Sequence, residues 1–94
     1  VYKRQSFMSY NRHASSWNFT FTAIKWKKFD NLMLAAVFPD QIEIYLFDMD
    51  NEKENCRNNK YTINTCIRDP YEAMDVLRNK LKSTHIYLGR IKLC

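Results

Sequence analysis

Carboxylates alternate along one short segment of this chain, at Asp48, Asp50 and Glu52. A calcium-binding loop begins with oxygen ligands at alternate positions, because carboxylates and carbonyls suit a hard cation. Counted from Asp48, the sixth position is Lys53 instead of the Gly needed for the sharp turn, and the twelfth is Asn59 instead of Glu. The spacing therefore predicts a solvated acidic loop rather than a calcium site.

The apolar segment that leads into these carboxylates forms a second pattern. Ile44-Tyr45-Leu46-Phe47-Asp48-Met49-Asp50 resembles the first motif of haloacid-dehalogenase-like phosphatases, in which an apolar strand ends in Asp-x-Asp. The resemblance implies that Asp48 accepts phosphate and binds Mg²⁺, and that Asp50 is a general acid/base. The family continues with a small residue and then Thr or Val, whereas this chain has Asn51 and Glu52. We expect instead a hairpin strand that ends in a polar loop.

A third acidic pattern lies just upstream. Pro39-Asp40 followed by Glu43-Ile44-Tyr45 is similar to the Pro-Asp…(Asp/Glu)-x-Lys site of metal-dependent nucleases. Such sites hold Mg²⁺ with two acidic groups and use the Lys to position or activate water. Here Tyr45 replaces the Lys, and Asp40 lies in a turn too close to Glu43 for ligands on separate strand ends. We do not expect catalysis at these residues.

The densest basic and aromatic cluster consists of Lys25, Lys27 and Lys28 around Trp26. Arg12 adds another cation in the polar segment that precedes it. This composition is typical of a charged connection between strands, and it also suits contacts to the phosphates of nucleic acid. The candidate nucleic-acid-binding residues are therefore Lys25, Lys27, Lys28 and Arg12.

The histidines and cysteines predict no metal centre. His13 and His85 have no other ligating side chain at a suitable spacing, so both are expected at the surface. Cys56, Cys66 and Cys94 are odd in number and form no Cys-x-x-Cys pair, which argues against a disulfide framework and a zinc site. No catalytic residue or metal ligand is assigned, and reduced thiols favour a cytoplasmic location.

Length and composition indicate one small domain or a piece of a larger one. The chain has 94 residues, of which 46% are hydrophobic and 15% aromatic, as expected for a protein with a core. Its longest apolar stretch, residues 32–38, is too short to cross a bilayer, so no membrane partner is expected.

The first five residues, Val1-Tyr2-Lys3-Arg4-Gln5, resemble a translated transposase mosaic end, the adapter that tags DNA fragments for sequencing. On this interpretation residues 1–5 are an artefact, residues 6–94 form the domain, and the natural chain extends upstream. Removing Lys3 and Arg4 lowers the net charge from +5 to +3. That charge is mildly basic and compatible with a phosphate-bearing partner.

Hydrophobic periodicity predicts the strands. Residues 17–22 alternate as a half-buried strand, and residues 32–38 are apolar on both faces, as in a central strand that is covered on both sides. Residues 41–47 alternate again, with Ile42, Ile44 and Leu46 on one face. Because a short Pro-Asp turn separates the last two segments, residues 31–47 are expected to form an antiparallel hairpin.

One helix is predicted over about 70–82. Asp69 is a good N-cap, Pro70 suits the first helical position, and Glu72 completes the start signal. Residues 60–65 and 84–94 are expected to add short strands. Residues 6–16 are expected to be a loop or a frayed entry to the first strand, and residues 48–59 a loop. The predicted fold is α+β, with a mixed or antiparallel sheet, a central hairpin and one amphipathic helix packed on it.

The order of these elements resembles the second half of the restriction-endonuclease-like core. The resemblance covers about residues 15–48: Trp17-x-Phe19-x-Phe21, a basic connection, Phe29-Asp30-Asn31-Leu32-Met33-Leu34, Pro39-Asp40 and Ile42-Glu43-Ile44-Tyr45. In that family an acidic residue and Glu-x-Lys on earlier strands are catalytic, and none precedes Trp17 here. The resemblance implies that Asp30 caps a core strand and that Lys25 and Lys27 lie toward DNA.

The leading hypothesis is therefore a C-terminal fragment of a Mg²⁺-dependent restriction-type DNA endonuclease, inactive alone because its catalytic residues lie upstream. The fragment needs no cofactor, and Mg²⁺ is expected for the intact enzyme. The alternative is a small non-enzymatic α+β module that binds nucleic acid or protein. DNA and a second copy of the chain are the candidate partners.

Overall fold

The structure is a computed structural model that describes residues 2–25, 31–52, 56 and 58–93. This part of the chain contains two β-sheets and two helices. In chain order the elements are β1 (Tyr2–Phe7), β2 (Ser9–Asn11), β3 (Ser16–Phe21), β4 (Leu32–Val37), β5 (Gln41–Leu46), α1 (Met49–Glu52), β6 (Tyr61–Asn64), α2 (Pro70–Thr84) and β7 (Ile86–Lys92). The α+β prediction is confirmed. None of the described helices is long and apolar enough to span a bilayer.

The larger sheet has four strands in the order β1-β4-β5-β7. β1 runs parallel to β4, whereas β4, β5 and β7 are antiparallel to their neighbours. The backbone N–H of Phe38 donates to the carbonyl of Gln41 at 2.9 Å and closes the turn between β4 and β5. The predicted hairpin over residues 31–47 is therefore confirmed.

The smaller sheet has three antiparallel strands in the order β2-β3-β6. Two side chains of β1 connect it to the larger sheet. The Ser6 hydroxyl accepts from the backbone N–H of Thr20 at 3.1 Å. The Arg4 guanidinium donates from Nε and Nη2 to the carbonyl of Ala23, at 3.1 and 2.9 Å. Ala23 has a left-handed backbone conformation, with φ of 55°.

Helix α2 starts where the local sequence predicts. The Asp69 side chain accepts from the backbone N–H of Glu72 at 3.0 Å, and Pro70 is the first helical residue. The helix ends at Thr84, two residues beyond the predicted end. Its buried positions, Ala73, Leu77 and Leu81, recur at i, i+4 and i+8 and so form one apolar stripe. This stripe packs into the core.

The core lies between α2, the smaller sheet and one face of the larger sheet, which we call the inner face. Its β4 and β5 residues are Leu32, Leu34, Ala36, Glu43 and Tyr45, all at most 1% exposed. The opposite, outer face carries Met33, Ala35 and Val37 from β4, which are only half-buried. The expectation that β4 is covered on both sides is therefore wrong, because α2 and the smaller sheet pack on the inner face alone.

The structure also corrects two expected loops. Residues 6–16 contain the end of β1 and all of β2, which the sequence does not reveal because the partner of β1 is 30 residues away. Residues 48–59 contain the single turn α1. Residues 2–5 lie in β1, but their strand conformation does not bear on the origin of their codons, so the adapter interpretation stays a prediction.

Candidate functional site

A cavity of about 380 Å³ opens beside the carboxylates that follow β5. The polar residues that line it, near Leu46 and Ile86, are Asn31, Asp48, Asp50 and Thr84. The Asp48 carboxylate accepts from the backbone N–H of Asp50 at 3.2 Å, as in an Asx turn. One carboxylate therefore stabilises the loop that carries the other.

The orientation of β5 excludes the phosphatase hypothesis. That hypothesis requires Asp48 to end a parallel strand, but β5 is antiparallel to both β4 and β7. The strand is the second arm of a hairpin, as the sequence also predicts. No group of three or more His, Cys, Asp or Glu side chains within the described ranges could hold a metal ion. Lys53, at the sixth position of the calcium-like pattern, lies outside those ranges.

His85 anchors the start of this acidic segment. Its Nδ1 accepts from the backbone N–H of Asp48 at 3.1 Å, and its Nε2 lies 3.0 Å from the Tyr61 hydroxyl. The ring also stacks on Phe47, with centroids 5.0 Å apart. His85 is only 5% exposed, so its expected surface position is wrong, whereas His13 is exposed in the β2–β3 turn. The only sequence signal for the burial of His85 is its position between the end of α2 and the start of β7.

Asp40 and Glu43, the acidic pair of the nuclease-like pattern, converge on one cation. Arg78 on α2 donates from Nε to the Glu43 carboxylate at 2.5 Å and from Nη2 to the Asp40 carboxylate at 2.6 Å. Its guanidinium carbon also lies 4.4 Å from the centre of the Phe38 ring. Both carboxylates are thus bound by a guanidinium, a bonding pattern that stabilises a buried charge.

Two further donors complete the hydrogen bonds of Glu43. The Tyr45 hydroxyl donates to Oε1 at 2.5 Å, and the Gln41 amide donates to Oε2 at 2.7 Å. Burial raises the pKa of Glu43, but the hydrogen bonds from Tyr45, Gln41 and Arg78 outweigh it, and the pKa lies below its usual 4.5. Glu43 is therefore an ionised carboxylate although it is 1% exposed.

This network has little capacity for acid/base chemistry. Burial and the Glu43 carboxylate raise the pKa of Tyr45 well above its ordinary value, so the phenol that stands in the Lys position is neutral. Burial lowers the pKa of Arg78, but the Glu43 and Asp40 carboxylates raise it by more than burial lowers it. The pKa therefore lies above its ordinary value, and the guanidinium stays charged. The arrangement joins α2 to the inner face of the sheet.

Of the candidate DNA-binding residues, the structure describes Arg12 and Lys25 and does not bring these two together. Arg12 is exposed in the turn that precedes β3, and Lys25 is exposed four residues after β3 ends. The whole of β3 separates them. Lys27 and Lys28 lie outside the described residues, as does Asp30. The assignment of all four cations to nucleic-acid binding stays a prediction.

The outer face is an apolar surface that no local sequence motif indicates. Phe7 is 63% exposed there, and Ile86 and Ile91 are 61% and 57% exposed. Exposed large apolar side chains that cluster on one face are typical of binding surfaces. One sequence signal could have located this face. Ile42, Ile44 and Leu46 alternate along β5 and so share one face of the sheet, whereas Glu43 lies on the other face.

No protein-family model matches the chain, and neither a curated protein nor a solved structure is significantly similar to it.

Proposed function

We propose that this chain is the C-terminal part of a Mg²⁺-dependent restriction-type DNA endonuclease, and that it contributes sheet scaffold and DNA-contacting cations rather than catalytic groups. The ion pairs of Arg78 with Asp40 and Glu43 support a structural rather than a catalytic role for these residues. Asp40 and Glu43 are in motif order for a metal site, but both are bonded to a guanidinium on α2. These residues do not fit Mg²⁺, because the cation would have to displace Arg78 from two close ion pairs.

The nuclease class is proposed because residues 15–48 resemble the second half of the restriction-endonuclease-like core. A hairpin whose first strand is apolar and whose turn is Pro39-Asp40 is present as β4 and β5. The catalytic acidic residue and Glu-x-Lys of the intact enzyme belong upstream of Trp17. The odd number of cysteines and the lack of a Cys-x-x-Cys pair support the cytoplasmic location we propose for it.

Recovery of the DNA upstream of codon 6 is the decisive test of the nuclease class. Codons for an acidic residue followed by Glu-x-Lys, in frame before Trp17, are the expected result. An initiator Met close to Ser6 would overturn the proposal. The 94-residue chain incubated with Mg²⁺ and linear duplex DNA is expected to show no cleavage.

DNA binding is tested by fluorescence anisotropy of a labelled duplex as salt is varied. R12Q and the triple variant K25Q/K27Q/K28Q are expected to weaken binding, and each lost phosphate contact flattens the salt slope by about 0.9. K92Q is the control, since Lys92 is an exposed cation at the end of β7. Equal losses in K92Q would indicate only a response to net charge and would contradict the assignment.

Protein interaction is the second candidate function, and the exposed apolar outer face favours it. A face of this kind loses unfavourable contact with water when another surface covers it.

A further inference from the structure

Strand register sorts the outer face into three rows that cross all four strands of the larger sheet. Paired residues place their side chains on the same face, so each row contains one residue from β1, β4, β5 and β7. The rows are Phe7, Val37, Ile42 and Ile91; Gln5, Ala35, Ile44 and Gly89; and Lys3, Met33, Leu46 and Ile86. Nine of these twelve residues have apolar side chains, and Lys3 is the only charged one of the twelve.

The described elements leave this face uncovered. α2 binds the inner face through Arg78, and its apolar stripe is buried on that side. Phe7, Ile86 and Ile91 each expose more than half of their surface, although they belong to rows with half-buried aliphatic neighbours. Sheets that are apolar on both faces are normally covered on both faces. A partner surface is therefore expected on the outer face.

The β7 bulge keeps the face continuous at its far edge. The register shifts between Ile44 and Tyr45, where Gly89 pairs with Ile44 and Tyr87 pairs with Tyr45. Gly89 has φ of 155°, a conformation that side-chain residues rarely adopt. One extra residue in β7 thus lets both Ile86 and Ile91 lie on the outer face.

The charge pattern suits a second copy of the same face. A two-fold axis parallel to the strands would place β1 of one copy over β7 of the other, so Lys3 would lie over Ile86 of the second copy rather than over its Lys3. The aliphatic stem of a lysine can cover an apolar side chain while its ammonium reaches water at the sheet edge. Self-association through this face therefore buries no like-charge pair.

We propose that two copies of this chain associate through their outer faces as a symmetric sheet-on-sheet dimer, with Phe7, Val37, Ile42 and Ile91 forming the most apolar row. This inference rests on the second candidate function and concerns the 94-residue chain, including Lys3 and Gln5, which the adapter interpretation assigns to an artefact. The two sheets would pack about 10 Å apart with their strands roughly aligned. The arrangement is isologous and closes at two copies.

The small size of the face is typical of a weak complex. Four strands about 4.8 Å apart and six residues of about 3.3 Å each give a face of roughly 400 Å² per copy. Two such faces bury about 800 Å², which is below the standard size for stable complexes. The dimer should be reversible, with a Kd on the order of tens to hundreds of micromolar.

Sedimentation equilibrium of the 94-residue chain from about 10 to 500 µM tests this inference. We expect a monomer–dimer equilibrium, and at least tenfold weaker association in I91K and I86K. Each variant replaces an apolar contact of the interface with a charged group, and I86K also places this charge over Lys3 of the second copy. Y71K is the matched control, since Tyr71 is 77% exposed on α2 and outside the face. Far-UV circular dichroism of each variant confirms that the fold is retained.

Three outcomes would overturn the inference. The first is a monomer at every concentration. The second is a dimer unaffected by either outer-face lysine, which indicates pairing at a sheet edge. The third is a monomer that binds neutral lipid vesicles, which indicates a lipid surface. The DNA titration repeated with I91K separates the two proposals, because loss of the dimer leaves the contacts of Lys25 and Arg12 intact.

Discussion

Arg78 Nε lies 2.5 Å from Glu43 Oε2 and so joins the middle of α2 to a carboxylate that is 1% exposed. The two residues are 35 positions apart in the chain, and Asp40 binds the same guanidinium from the turn before β5. Replacing only one member of such a buried pair leaves an uncompensated charge, which costs more than the pair contributes.

R78M should therefore lower the free energy of unfolding by about 3–5 kcal/mol, as measured by urea denaturation. R90M is the control, because Arg90 is exposed and its only described side-chain bond is a 3.5 Å contact with Gln41. It should change stability by less than about 0.5 kcal/mol. The double variant R78M/E43Q should recover part of the loss, and strict additivity of the two single changes would contradict the pairing.

Glu43 should make stability fall in acid. Its pKa in the folded protein is below 4.5, so its contribution is fully present above pH 4.5 and is lost as the pH falls through the folded value. Urea denaturation at intervals between pH 3 and pH 6 measures the slope. E43Q should flatten it, whereas E72Q, at an exposed position of α2, should leave it in place; an unchanged slope in E43Q would refute the assignment.

A23G should stabilise the protein by about 0.5–1 kcal/mol. Ala23 has φ of 55°, which strains a residue with a Cβ, and this relief exceeds the extra entropy that Gly brings to the unfolded chain. The carbonyl that accepts from Arg4 is retained in the variant. A14G is the control, because Ala14 lies in an exposed turn without positive φ, and it should be neutral or destabilising in the same thermal melt.

D69A should cost about 1 kcal/mol of stability, since it removes the acceptor for the Glu72 backbone N–H at the start of α2. D75A changes the same residue type on an exposed turn of the same helix, where Ala has the higher helix propensity. It should be neutral or slightly stabilising. Equal effects of the two substitutions on the urea midpoint would show that the cap contributes nothing.

Local signals account for what the sequence predicts correctly. The start of α2 depends on Asp69, Pro70 and Glu72, which are neighbours in the chain, and the hairpin depends on one turn at Pro39-Asp40. The missed strands β1 and β2 have no comparable local signal. β1 carries four polar residues in succession, Lys3-Arg4-Gln5-Ser6. It becomes a strand by pairing with β4, which lies 30 residues later.

The candidate site was harder to predict because its contacts are tertiary. Glu43 is buried only because Arg78 arrives from α2, and His85 is buried only because Tyr61 and Phe47 surround it. Alternation along β5 divides its residues into two faces correctly. It cannot say which face is inside, and simple hydrophobicity would choose the isoleucines that the structure leaves on the outer face.

The edge positions of β1 and β7 in one sheet have a consequence for biosynthesis. The first and last described strands flank the β4–β5 hairpin, so a growing chain cannot complete the sheet until Lys92 has left the ribosomal tunnel. The hairpin and β1 can pair earlier, but β5 then keeps an open edge during translation. Pairings between distant segments also slow folding. The edge of β5 is thus the last pairing position in this sheet to be filled.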